Sequence, residues 1–224
     1  GPPQRIKGEL RNPATCPPLD SEGRGAQAHR VTLTGKPGLM KVVLLFPPHW
    51  TPAMPHLALP ALAAYLRARG VEVILRDLNL EVFEQVLTRD YLEQSIARLR
   101  EEAGARTLRP IPPDALQWTL AEGPRLAAQI EEAVGLMRSS GFLYGPVGRE
   151  AFLVVDQALE LASLPFHPAS LQLTRYLPPV SVESSRSLLQ AVRDPQANMF
   201  LPLFQAGVLA DLERERPDIV GISI

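Results

Sequence analysis

The sequence predicts an α/β protein in which a parallel β-sheet is interrupted by a long helical insertion. Three observations carry that expectation. "KVVLLF" (41–46) and "PDIVGISI" (217–224) are apolar runs too continuous for a sheet with one wet face. A helix-period stretch separates the first run from "VEVIL" (71–75), so strand, helix and strand follow one another within a single βαβ unit. From Leu78 to Pro217 the apolar residues recur at helical rather than alternating spacing.

Taken in order, residues 1–39 are rich in Pro, Gly, Arg and small polar side chains without a sustained period. They read as a disordered arm or a non-native extension, with Met40 the expected natural start. Lys41 to Phe46 is the first buried strand. Leu59, Leu62, Ala63 and Leu66 then recur at i, i+3, i+4 and i+7, the apolar stripe of a helix. Pro60 suits its first turn and Gly70 the left-handed cap that ends it. Val71 to Leu75 is the second strand, and its crossover from the first is expected to be right-handed and the pair parallel.

The insertion, 78–217, divides into helices by its stripes and breakers. Val82, Phe83, Val86 and Leu87 form one, and Leu92, Ile96 and Leu99 another before Gly104. Leu116 and Leu120 begin a stretch that continues through Gly123-Pro124 to Leu126, Ile130, Val134 and Met137. Phe152, Val155, Leu159 and Ala162 follow, ended by Pro165. Ser184 is placed to cap a short helix carrying Leu188, Leu189 and Val192, which Pro195 stops. A last helix, roughly Leu203 to Arg214, leads to the third strand. No internal repeat is visible. Three parallel strands leave apolar edges uncovered, so residues 40–224 read as the N-terminal part of a longer polypeptide.

Composition narrows the function. Lys+Arg 23 against Asp+Glu 24 gives a formal net charge of -1, which argues against the phosphate-neutralising surface of a nucleic-acid binder. No apolar run approaches the roughly 20 residues of a membrane helix, and the first residues lack a secretory core, so a soluble cytoplasmic protein is expected. The single cysteine, Cys16, excludes an intramolecular disulfide and a Cys-ligated iron–sulfur cluster within this chain.

In open parallel sheets, ligands bind beyond the carboxyl ends of the strands. Those ends carry Pro47, Pro48, His49 and Trp50 after the first strand, Asp77 and Asn79 after the second, and Gly221, Ile222 and Ser223 in the third. Each also has a plain structural reading. The prolines terminate a strand, Leu59 and Pro60 staple a helix entry, and Asp77 or Asn79 caps the next helix. A Gly–small–Ser strand end, by contrast, admits close approach of a ligand to the backbone. Asp156 and Glu160 share a helical face and read as solvated. The common phosphate loops are missing: no G-x-G-x-x-G follows the first strand, and Gly35-Lys36 is followed by Pro37.

"MKVVLLFPPHWTPAMPHLALPALAAYLRARGVEVILRDLN", then the insertion, then "PDIVGISI", resembles the N-terminal cobalamin-binding domain of B12-dependent radical SAM proteins. The shared pattern is a strand ending in Pro-Pro, a Leu-Pro-x-Leu-Ala-x-Tyr-Leu helix, a G-x-x-V strand ending in Asp-x-Asn, and a later D-x-V-G-I-S strand. It spans about residues 40–224. Within the insertion "LYGPV", "ALELAS" and "LPFHPASL" match loosely. The resemblance implies a Rossmann-like sheet, incomplete in this chain, that holds cobalamin across its strand ends. Pro47, Pro48, His49, Leu59, Pro60, Asp77, Asn79, Gly221, Ile222 and Ser223 would be the contacts. In the full-length protein it implies a [4Fe–4S] cluster and S-adenosylmethionine on a radical SAM domain C-terminal to this chain, and a methyltransferase-like reaction.

Two departures limit the carry-over. The C-x-x-x-C-x-x-C cluster motif is missing, so no activity is expected from this chain alone. The glycine-rich strand end expected after "GIS" is missing too. The classical D-x-H-x-x-G motif, which supplies a cobalt-binding histidine, is also absent, as in the radical SAM members: Gln27, Pro47, Met54 and Pro165 precede His29, His49, His56 and His167 by two residues. A base-off corrinoid without a protein imidazole is therefore implied. Two alternatives remain open at this level: a non-catalytic α/β module whose insertion docks another protein, and another Rossmann-type nucleotide-binding protein.

Overall fold

The computed structural model describes residues 40–52, 54, 56–102, 111–143 and 145–223. The expectations for residues 1–39, including Cys16 and His29, and those for Gly104 and Ile224 fall outside them. Strand β1, Lys41–Phe46, is the centre of the main sheet because its side chains are apolar on both faces. Val42, Leu44 and Phe46 pack with Leu59 and Ala63 of helix α1, Ala58–Arg67, and with Val73 of strand β2, Glu72–Asp77. Val43 and Leu45 face the other way, toward Leu78 and Val208. Helix α1 closes at Gly70, whose φ of 76° is the left-handed conformation that glycine adopts without steric cost.

Both neighbours of β1 are parallel to it. Phe46 stands level with Asp77 of β2, and Leu45 with Ile222 of strand β5, Ile219–Ile222. The order is β2-β1-β5, as an α/β sheet of Rossmann-like design requires when successive crossovers leave β1 in opposite directions. Helix α1 covers one face. The helical run that precedes β5 covers the other, through Val208 and Leu212. That run is α7, Phe200–Phe204, a π-helical turn at Gln205–Leu209, and α8, Ala210–Glu215.

Between β2 and this run lies the insertion. Helices α2, Leu78–Val86, α3, Arg89–Glu102, α4, Pro113–Met137, and α5, Pro146–Ser163, bury a second core around Phe83, Leu92, Leu126, Ile130, Val155 and Leu159. Pro124 sits inside α4 without ending it. Helix α6, Ser185–Arg193, is capped by Ser184, whose hydroxyl accepts from the Ser187 amide at 3.3 Å. One feature departs from the all-helical expectation: strands β3, Ser170–Leu171, and β4, Tyr176–Leu177, form a two-residue antiparallel ladder. A ladder that short presents too few alternations to register as a period.

Asp156 and Glu160 also depart from expectation. They are not merely solvated. Leu173 N–H donates to Asp156 Oδ1 at 2.9 Å, and Gln172 Nε2 donates to Glu160 Oε1 at 2.8 Å, so the two carboxylates pin the β3–β4 hairpin onto α5.

Candidate functional site

The three parallel strands end at one edge. Beyond Phe46, level with Asp77, the chain leaves as the loop from Pro47, and Ser223 N–H donates to Leu45 O at 3.0 Å just past β5. Because β2 and β5 flank β1 on opposite sides, the gap between the ends of β1 and β5 is the topological switch point, the place where sheets of this kind leave room for a ligand.

The loop at this edge is held by side chains. Asn79 is 1% exposed, and its Oδ1 accepts from Trp50 N–H at 2.9 Å. Asp77 caps α2 by accepting from Leu80 N–H at 2.9 Å. His49 Nε2 lies 3.0 Å from the Gln172 carbonyl; since a carbonyl only accepts, that nitrogen carries the proton. The His49 ring also leans on Phe83, with centroids 6.0 Å apart, so the loop touches both the sheet and the insertion. His56 stacks on Phe46 at 4.0 Å and stands edge-on to Trp50 at 6.3 Å. Its Nδ1 is buried without a hydrogen-bond partner among the described residues.

The residues singled out from sequence therefore divide. Pro47, Pro48, His49, Asp77, Asn79 and Ser223 gather at the common edge. Leu59 is sealed into the core between α1 and the sheet, while Pro60 is exposed on the helix beside it. Gly221 and Ile222 lie within β5, level with Leu44 and Leu45. A β-carbon on Gly221 would stand 2.8 Å from Leu44 Cδ2, so part of the room left by this glycine is taken by Leu44 itself. His56 and Gln172 were not singled out. A lone histidine in a proline-rich loop and a glutamine offering its main-chain carbonyl leave no pattern in the sequence.

A cluster of ion pairs braces the sheet on its α8 side. Arg76 is bonded to both oxygens of Glu81 at 2.6 Å and to Asp211, and Lys41 pairs with Glu215 at 3.2 Å and Glu72 at 3.4 Å. The Arg76 guanidinium holds the Asp211 carboxyl below its ordinary range, and Lys41 does the same for Glu215. Among the described residues no group of three or more His, Cys, Asp and Glu side chains is placed to hold a metal ion. No helix among them is long and apolar enough to cross a membrane. Chemically, the edge offers backbone groups, the Ser223 hydroxyl, the Asp77 carboxylate and the rings of His49, Trp50 and His56.

Comparison of the chain with protein-family models, curated proteins and solved structures finds no match.

Proposed function

We propose that this chain is the cobalamin-binding portion of a B12-dependent radical SAM enzyme of methyltransferase-like activity, working in the cytoplasm. The observation that carries the reading is the switch point at the end of β1, where a loop of fixed shape, Pro47 to Trp50, is locked by Asn79 and His49. Residues at this edge fit a corrinoid in kind. Ser223 carries a hydroxyl at the strand end, and the orphaned Nδ1 of His56 is a buried polar atom beside the stacked Phe46 ring. His49 has its Nε2–H committed to Gln172, which accords with a corrinoid bound without an imidazole from this loop.

When bound, a corrinoid supplies a cobalt centre for methyl transfer. The chain's own part is to grip and orient: Asn79 fixes the loop, His49 ties the loop to the insertion, and the Leu44–Gly221 contact holds β5 close to β1. With a single cysteine in the chain, thiolates for a [4Fe–4S] cluster and the site for S-adenosylmethionine belong to a radical SAM domain outside it.

Hydroxocobalamin titration tests the reading. Corrin absorbance that stays with the protein through desalting at near one equivalent, with the spectrum of a base-off form, is the expected result. Loss of all corrin from protein with a native far-UV circular dichroism spectrum rejects it. A second reading, a partner-binding α/β module, draws on the exposure of β5: Ile219, Val220 and Ile222 are 49%, 43% and 64% exposed. Failure of the corrin titration together with concentration-dependent association of the chain favours that reading.

A further inference from the structure

Next to the strand-end loop, but walled by the insertion, lies a cavity of about 670 Å³. That is the size of pockets that enclose drug-sized molecules. Its floor is apolar and deeply buried: Phe83, Val155 and Leu173 are 4%, 1% and 2% exposed. Leu87, Val134 and Met137 continue the apolar wall, while Glu84, Glu131 and Arg138 stand exposed at the mouth.

Gly135 lies at the exposed rim of this cavity. It lies inside α4, two residues before the helix ends, and its φ is not positive, so the backbone does not call for glycine. A β-carbon there would meet no described atom within 4 Å. Glycine inside a helix costs roughly 0.5–1 kcal/mol relative to alanine. A larger side chain at this exposed rim position has room to extend over the opening.

Charge selects the occupant. Glu131, Gly135 and Arg138 fall at i, i+4 and i+7, one stripe of α4 running along the mouth. Arg138 Nη2 is engaged with Glu84 Oε1 at 2.9 Å, across from α4 to α2. The Glu131 carboxylate has no partner among the described residues, and it sits one turn from the opening that Gly135 leaves. Two carboxylates and one guanidinium stand at the mouth, so its balance is negative and favours a cation over an anion.

We propose that this cavity binds an apolar small molecule bearing an amine, its body against Phe83, Leu87, Val134 and Val155 and its ammonium at Glu131. The proposal does not need the corrinoid reading. The test uses the full 224-residue chain and the fluorescent probe N-phenyl-1-naphthylamine. Saturable emission is expected, with decylamine displacing the probe at concentrations about tenfold lower than decanoate does, the worth of one charge-assisted contact. Gly135→Leu grows into the space and is expected to weaken probe binding about tenfold or more with an unchanged or raised Tm. Glu131→Gln keeps the probe and brings amine and carboxylate competitors to within about threefold of each other.

Absence of saturable emission overturns the proposal, as does equal competition by decanoate, or a folded Gly135→Leu variant with undiminished probe affinity. Should Gly135→Leu disturb the fold, the Met137 methyl group decides. In wild-type protein labelled with 13C-methyl methionine, and assigned with Met137→Leu, its resonance is expected to shift on adding decylamine. A resonance that stays put while the probe binds places the ligand elsewhere and overturns the site.

Discussion

Replacing Asn79 by alanine isolates what holds the strand-end loop. Asn79 is 1% exposed, and its Oδ1 is the acceptor for Trp50 N–H at 2.9 Å. Truncation leaves that partly buried amide without a partner, which costs about 1–3 kcal/mol. The volume vacated by the amide group adds to the loss, and alanine's better helix propensity offsets it by about 0.5 kcal/mol. The net expectation is a destabilisation of about 1–3 kcal/mol, read as a lower urea midpoint at unchanged m value. The loop itself carries the sharper signal. Hydrogen exchange at the Trp50 amide is expected to accelerate at least tenfold more than at Val43 or Leu44 in the centre of β1, since about 1.4 kcal/mol of local opening energy is tenfold in rate. Asp77→Ala supplies the contrast. It removes the α2 cap at a cost of about 1 kcal/mol but leaves the Trp50 bond in place, so Trp50 exchange follows the global change only. An Asn79→Ala protein with a wild-type midpoint and unaltered Trp50 exchange refutes the claim that this side chain clamps the loop.

Two further outcomes follow from buried and charged groups elsewhere. Thr119 in α4 is fully buried and its hydroxyl has no hydrogen-bond partner among the described residues, so Thr119→Val is expected to be neutral or to stabilise by about 1 kcal/mol in urea denaturation; a clear loss shows the hydroxyl to be engaged. The pH dependence turns on Asp211 and Glu215, whose carboxyls are held below their ordinary values of 3.8 and 4.5 by Arg76 and Lys41 respectively. A depressed folded-state pKa means the stabilisation is complete above those ordinary values and is lost as pH falls through the lower folded ones. Urea midpoints measured from pH 6 downward are therefore expected to fall in acid, and less steeply in Asp211→Asn. A variant curve parallel to the wild type below pH 4 removes the Arg76–Asp211 pair as a source of the acid loss.

The central strand was readable from sequence because burial on both faces leaves a one-letter signature, whereas β5, expected from its apolar run to be covered, has Ile219, Val220 and Ile222 exposed. β1 is apolar at every position from Val42 to Phe46, and only a central strand tolerates that composition. α1 was readable because Leu59 and Ala63, the residues that reach the sheet, lie within a stripe of helical period, although Leu62 in the same stripe stays 44% exposed. The site was less readable. Asp77 and Asn79 look alike two residues apart, yet one caps a helix and the other is swallowed whole to bind a loop amide. Which fate each meets depends on where the Pro47–Trp50 loop folds back, a tertiary event with no local pattern. Asp156 and Glu160 were misread for the same reason: their partners, Leu173 N–H and the Gln172 side chain, belong to a hairpin too short to announce itself.

Those hydrogen bonds connect the sheet edge to the insertion by a continuous route. Asp156 and Glu160 on α5 hold the β3–β4 hairpin, the hairpin's Gln172 carbonyl holds His49, and the His49 loop issues directly from β1. Phe83 reinforces the route, since it touches His49 on one side and floors the insertion's cavity on the other. The break at Pro47-Pro48 thus falls where a central strand meets its switch point, and the chain there is braced from two independent cores. Phe83 therefore stands between the cavity and the His49 ring, and the Gln172 carbonyl ties that ring to the β3–β4 hairpin, so the loop and the cavity share a wall.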